Sequence, residues 1–188
     1  MKSNSGPPII VVTGVQGAGK TTVGRLLAER FERAVFIEAD ALQRMIVSGG
    51  RQVTDDNGPG DPSGEAAVQL RLRLKNACLL ARSFAAAGFA VVLDDIILGD
   101  RYDHLCEDIA GLPFHLVVLA PSVGIVEARD TARSKHVGGG WAAYLDAELR
   151  RTMTGRGLWI DSTEQTPEET VAAALAGLRL IESENHDS

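Results

Sequence analysis

The sequence predicts a doubly wound α/β domain: a parallel sheet with helices on both faces. Short, nearly continuous apolar runs recur along the chain, as strands buried on both sides require. The segments between them carry helical periodicity, which is the repeated βα pattern with right-handed crossovers. The first run ends in a glycine-rich turn that opens a helix, at residues 14–21.

Residues 1–7 read as a loose leader. "PIIVVT" (8–13) is the first strand, followed by the turn and the first helix. "AVFIE" (34–38) is the second strand, and "ALQRMIV" continues as a helix. "SGGRQVTDDNGPGDPSG" (48–64) holds five Gly, two Pro and three Asp, so most of it is loop. From Glu65 to Ala87, Ala66, Leu70, Leu74, Ala77, Ala81 and Phe84 form one apolar stripe of a long helix, with Gly88 as its C-cap. "FAVVLD" (89–94) and "FHLVVLA" (114–120) are the third and fourth strands. "SKHVGGGW" (134–141) is a second glycine-rich loop, and "GLWIDS" (157–162) is the fifth strand. "TPEETV" opens the last helix, with Thr166 as N-cap, Pro167 at the first helical position and Glu169 completing a capping box. "ESENHDS" (182–188) is a polar tail, so all 188 residues make a single domain.

Hydrophobic residues make up 45% and charged residues 23%, the balance of an ordinary globular protein. A net charge of -6 argues against a protein that coats nucleic acid. The N-terminal apolar run is too short for a signal peptide or a membrane span, so a cytoplasmic location is expected. The two cysteines, Cys78 and Cys106, lie in helical patterns without metal-ligand spacing and read as reduced thiols.

Residues Gly14, Val15, Gln16, Gly17, Ala18, Gly19, Lys20 and Thr21 match G-x-x-x-x-G-K-[ST], between a strand and a helix, with Thr22 following. Glycines let successive N–H groups turn inward toward phosphate oxygens, and the helix N-terminus adds its positive dipole end. Lys20 is placed to bridge the β- and γ-phosphates of ATP, and the Thr21 hydroxyl to ligand Mg²⁺. The alternative is a glycine turn that happens to carry a lysine.

Binding a triphosphate leaves the outcome to other residues. Asp40 follows the second strand, where open parallel sheets place their ligands, and can accept a proton from an acceptor hydroxyl. Otherwise Asp40 is the N-cap of its helix, and the two roles are compatible. Asp94 and Asp95 end the third strand facing opposite ways. One can serve Mg²⁺ (Asp94 as metal ligand) and the other can face the acceptor, unless both are solvated turn residues. Arg129 and Arg133, four apart, precede the glycines of a lid over 129–140 and can neutralise charge on a transferring phosphate. Alternatively they pair with Glu127 and Asp130. Arg71, Arg73, Lys75 and Arg82 read as the solvated side of the long helix, and Trp141 and Trp159 as core or pocket wall.

The P-loop, Asp40, "LDDIILGD" and "EARDTAR", in that order, resemble the chloramphenicol phosphotransferase-like P-loop kinases, relatives of shikimate kinase, gluconate kinase and zeta toxins. The resemblance spans roughly residues 9–165. It implies a three-layer P-loop NTPase fold with a five-stranded sheet in the order 2-3-1-4-5. It implies that Asp40 is the base, that Arg129 and Arg133 are flap arginines, and that Asp94 or Asp95 lines the Mg²⁺ and acceptor side. It also places the adenine near Asp161 to Gln165, and the acceptor pocket along 48–64. Glu38-Ala39-Asp40 departs from the Asp-x-Asp of shikimate kinases.

The leading expectation is an ATP- and Mg²⁺-dependent kinase of a small hydroxylated molecule, an antibiotic, sugar or related metabolite, with Asp40, Asp94 and Asp95 on the substrate side. Neither nucleic acid nor membrane is an expected partner, and monomer and homo-oligomer stay open. A switch or assembly ATPase using Asp94 and Asp95 is the second hypothesis. A zeta-like toxin acting on a nucleotide sugar is the third.

Overall fold

The computed structural model describes residues 6–51, 64–132 and 141–186. Five strands, β1 (Ile9–Gly14), β2 (Ala34–Glu38), β3 (Ala90–Asp94), β4 (Phe114–Leu119) and β5 (Leu158–Ile160), form one parallel sheet in the order β2-β3-β1-β4-β5. Every residue of β1 and β3 is buried. That is why both read as unbroken apolar runs rather than alternating ones.

Among the described residues, seven helices connect or follow these strands: α1 (Lys20–Ala28), α2 (Ala39–Arg44), α3 (Gly64–Ala86), α4 (Asp100–Asp108), α5 (Val123–Ala132), α6 (Trp141–Met153) and α7 (Pro167–His186). Helices α1 and α7 pack together, as do α3 and α4, and these pairs cover the two faces of the sheet. The core runs through the sheet from Leu27 on α1 to Leu74, Ala77 and Ala81 on α3.

The helix ends follow from local chemistry. Phe89 N–H donates to Phe84 O at 3.1 Å and Gly88 N–H to Ala85 O at 2.9 Å, a Schellman closure of α3 that needs the positive φ of Gly88. At α7, Thr166 N–H donates to Glu169 Oε2 at 2.8 Å, and Glu169 N–H to Thr166 Oγ1 at 3.2 Å. This is the capping box that the sequence predicts.

Three features differ from the sequence reading. Strand β5 is only three residues long. Its entry at Gly157 sits at φ +72° with Leu116 O 2.6 Å from where a Cβ would lie, and Asp161 beyond its end turns to cap Thr163. Helix α2 stops at Arg44, leaving Met45 and Val47 exposed. Helix α6 has no counterpart in the sequence reading, whereas α4 contains the helical pattern read around Cys106. Among the described residues no helix is long and apolar enough to cross a membrane.

The α3 stripe generates a stability test. Leu74 is wholly buried and Val68 is exposed on the same helix. Leu74→Ala is expected to cost about 2–5 kcal/mol in chemical denaturation. Val68→Ala should stay within about 0.5 kcal/mol. Equal losses at both positions would contradict this orientation of α3.

Candidate active site

The site forms at the carboxyl end of the sheet, where neighbouring strands finish level. Val12 of β1 pairs with Asp94 of β3, and Asp94 pairs with Glu38 of β2. The segments leaving these strands, Gly14–Lys20, Asp95–Ile97 and Ala39–Asp40, therefore emerge side by side. Thr13 fixes two of them together. Its Oγ1 accepts from Ile97 N–H at 2.8 Å and donates to Ile97 O at 3.4 Å.

The glycine-rich turn is shaped by close approach. A Cβ on Gly14 would lie 2.4 Å from Leu119 O, and Gly17 and Gly19 hold φ of 80° and 95°. Only glycine meets these conditions cheaply. Val15 and Ala18 anchor the turn in the core, Gln16 and Gly17 are half-buried, and Thr21 and Thr22 are exposed. Gly19 is the N-cap of α1 and contributes no side-chain bond, so the helix's first N–H groups are left for a ligand.

Cationic groups converge on this turn. Lys20 Nζ donates to Val15 O at 3.0 Å, one of the three hydrogen bonds an ammonium can make. Burial pushes the Lys20 ammonium below its ordinary value, opposed by the charges of Asp94, Asp40 and Asp95. Arg129 Nη1 comes within 3.8 Å of the point where a Gly19 Cβ would sit, so the guanidinium lies against the turn. A cradle of main-chain amides with two cations fits a polyphosphate.

Thr21 Oγ1 donates to Asp94 Oδ2 at 2.6 Å. Burial pushes the Asp94 carboxyl up, while the nearby Lys20 charge and the Thr21 hydroxyl oppose that shift. Among the described residues no group of three or more His, Cys, Asp or Glu could hold a metal ion. A hydroxyl and one carboxylate suit Mg²⁺, which takes one or two protein oxygens and completes its shell with phosphate and water.

The neighbouring half of the site is polar and more tightly bonded than the sequence suggests. Asp95 is 1% exposed, and its two oxygens accept from Arg73 Nη2 at 2.5 Å and Arg101 Nη2 at 2.6 Å. Arg73 Nη1 also donates to Asp40 Oδ1 at 2.7 Å, while the Asp40 side chain is otherwise 70% exposed. Burial pushes the Arg101 guanidinium below its ordinary range, with the Asp95 charge opposing. One turn along α2 from Asp40, Gln43 Nε2 donates to Gln69 Oε1 and to Arg51 O. Buried Gln69 also accepts from Arg51 N–H and donates to Gly49 O and Glu65 Oε1, which seats residues 49–51 on α3.

Several sequence readings change here. Asp40 is not an N-cap; that position is Glu38, and Asp40 sits in the first turn of α2. Asp94 and Asp95 are not solvated turn residues, because both are buried and bonded. Asp95 meets two guanidinium groups rather than open solvent. Arg73 is not on a solvated face. Arg71 pairs through both guanidinium nitrogens with Asp108, and Arg82 Nη1 donates to Ala110 O. A sequence signal for Arg73 did exist, since Glu65, Gln69 and Arg73 recur every four residues, each just before a member of the apolar line Ala66, Leu70, Leu74. Arg133, residues 133–140 of the expected lid and residues 52–63 of the expected acceptor loop lie outside the described residues. After β5, Thr163 Oγ1 accepts from Ser122 N–H at 2.8 Å and donates to Asp161 Oδ1 at 2.5 Å, joining that loop to the start of α5.

Comparison with solved structures gives the same architecture. A gluconokinase from Sinorhizobium meliloti 1021 aligns with a TM-score of 0.66 and 29% identity, covering 98% of this chain and 99% of that one. A tunicamycin resistance protein from Deinococcus radiodurans aligns at 0.64 and 23% identity, over 92% and 95% of the two chains. A shikimate kinase from Acinetobacter baumannii aligns at 0.62 and 21%, over 95% and 94%. The chain is similar to all three in fold, with the sheet order 2-3-1-4-5. No curated protein sequence matches it. The kinship is with P-loop kinases in general, and none of these three is a chloramphenicol phosphotransferase. The AAA domain family matches residues 9–156, which carry the phosphate turn, Asp40, Arg73, Asp94, Asp95, Arg101 and Arg129, and the chain belongs to that family.

Proposed function

We propose that the chain is a cytoplasmic phosphotransferase that moves the γ-phosphoryl group of Mg·ATP to a hydroxyl of a small molecule, such as an antibiotic, a sugar or a related metabolite. One observation carries this reading. An exposed carboxylate, Asp40, is joined through Arg73 to Asp95, the neighbour of Asp94, whose carboxylate bonds Thr21 beside the phosphate turn. The kinship with a gluconokinase and a shikimate kinase supports it.

In this reading the amides of residues 14–20, Lys20 and Arg129 bind the terminal phosphates of ATP and stabilise the charge that develops during transfer. Thr21 and Asp94 would hold Mg²⁺, which would supply neutralisation of phosphate charge. Asp40 accepts the proton of the acceptor hydroxyl as its oxygen bonds to the γ-phosphorus. The bond to the β,γ-bridging oxygen breaks, ADP leaves, and the exposed carboxylate returns its proton to water. A switch or assembly ATPase would need Asp95 free to act on water, whereas Asp95 is held by two arginines.

The test is incubation with Mg·ATP and a panel of hydroxylated antibiotics, sugars and nucleosides, read by mass spectrometry for an added phosphate. One panel member should gain it. ATP cleavage seen only with a protein partner, and no phosphorylated small molecule, would favour the switch. Lys20→Ala should lower turnover by about 10²- to 10³-fold with an unchanged circular dichroism spectrum; an unaltered rate refutes its role. Asp40→Asn should lower acceptor phosphorylation by about 10²-fold or more while the Kd of an ATP analogue stays constant. Full activity in that variant would remove Asp40 from the chemistry.

A further inference from the structure

Resting on the kinase reading, we infer that Arg73 is a positioning residue for phosphoryl transfer. It aims the Asp40 carboxylate from the floor of the site, while Asp95 and Arg101 form the clamp that aims Arg73.

The bonding has a direction. Asp40 stands on a helix of only six residues, with no side-chain cap, and its side chain is largely exposed. Such a carboxylate has free rotamers and solvent on most sides, which is a poor state for a base that must meet a hydroxyl in line with phosphorus. The contact that removes this freedom is Arg73 Nη1 on Oδ1 at 2.7 Å.

Arg73 is itself fixed. Its side chain is 10% exposed, Nη2 is on Asp95 at 2.5 Å, and Nε is buried with no partner. An unpartnered buried donor costs free energy. Arg73 is therefore held where it is by its two carboxylates, not by satisfying all of its own donors.

Asp95 is over-determined in turn. Besides the two guanidinium groups, its Oδ1 accepts from Ile96 N–H at 2.8 Å. Arg101 Nε donates to Ile96 O at 2.8 Å and its Nη1 to Leu70 O at 3.3 Å, which ties α4 to the segment after β3 and to α3. Two carboxylates and two guanidinium groups balance in charge, and of the four side chains Asp40 is the one largely exposed. A lysine cannot replace Arg73, because an ammonium lacks the fork that spans two carboxylates at once.

A double-mutant cycle tests the inference, with wild type measured in parallel on the acceptor found in the panel. Arg73→Ala should lower kcat by about 10- to 100-fold, the loss expected of a displaced catalytic group. In the Asp40→Asn background the same change should cost less than about twofold, because Arg73 acts through Asp40. The Kd of an ATP analogue should stay within about twofold in every variant. Should Arg73→Ala fail to fold, Arg73→Lys alone and with Asp40→Asn completes the same cycle. Unchanged kcat in the single variant overturns the inference. An equal loss in both backgrounds also overturns it, since that is the behaviour of a purely structural residue. A wild-type chain that phosphorylates nothing in the panel overturns the kinase reading itself.

Discussion

Two successive buried carboxylates, Asp94 at the end of β3 and Asp95 just beyond it, stand at one edge of the core, and a buried charge has to be paired. The two carboxylates take different hydrogen-bond partners. Asp94 takes the Thr21 hydroxyl and feels the Lys20 charge, which binds it to the first turn of α1. Asp95 takes Arg73 from α3 and Arg101 from α4. One dipeptide thus draws helices from different parts of the chain to the same end of the sheet. Losing one partner of such a buried pair costs about 3–5 kcal/mol, so this end of the sheet is rigid for electrostatic as well as hydrophobic reasons.

That rigidity separates the two halves of the site. On the phosphate side, Lys20 spends one donor on Val15 O, and Gly19 leaves the helix N-terminus uncapped. These groups are under-used within the protein, as a binding surface should be. On the other side, Asp95, Arg73 and Gln69 bond almost entirely to protein. These bonds make a fixed polar wall, from which the Asp40 carboxylate extends into solvent.

Much of this was legible in the sequence because it rests on local rules. Continuous apolar runs mark strands covered on both faces, and β1 and β3 are buried throughout. The Thr166–Glu169 capping box and the Gly88 closure are each readable within six residues. The turn from Gly14 to Lys20 is readable because Gly17 and Gly19 answer a local demand for positive φ. Arg73 escaped because its meaning is not local. The line Glu65, Gln69, Arg73 marks one polar edge of α3, but it takes the topology to bring that edge to Asp95 beyond the end of β3. The sequence left open which of Asp94 and Asp95 adjoins the phosphate turn. The register and the Thr21 bond place Asp94 there.

The reading stands on donor and acceptor oxygens meeting between the phosphate turn and Asp40. A crystal structure with Mg²⁺ and a non-hydrolysable ATP analogue examines that geometry without knowledge of the acceptor. The terminal phosphorus should face the Asp40 carboxylate across an open cavity, with Lys20 and Arg129 on its oxygens. A terminal phosphorus turned away from Asp40, or a side chain filling the space between them, would contradict it.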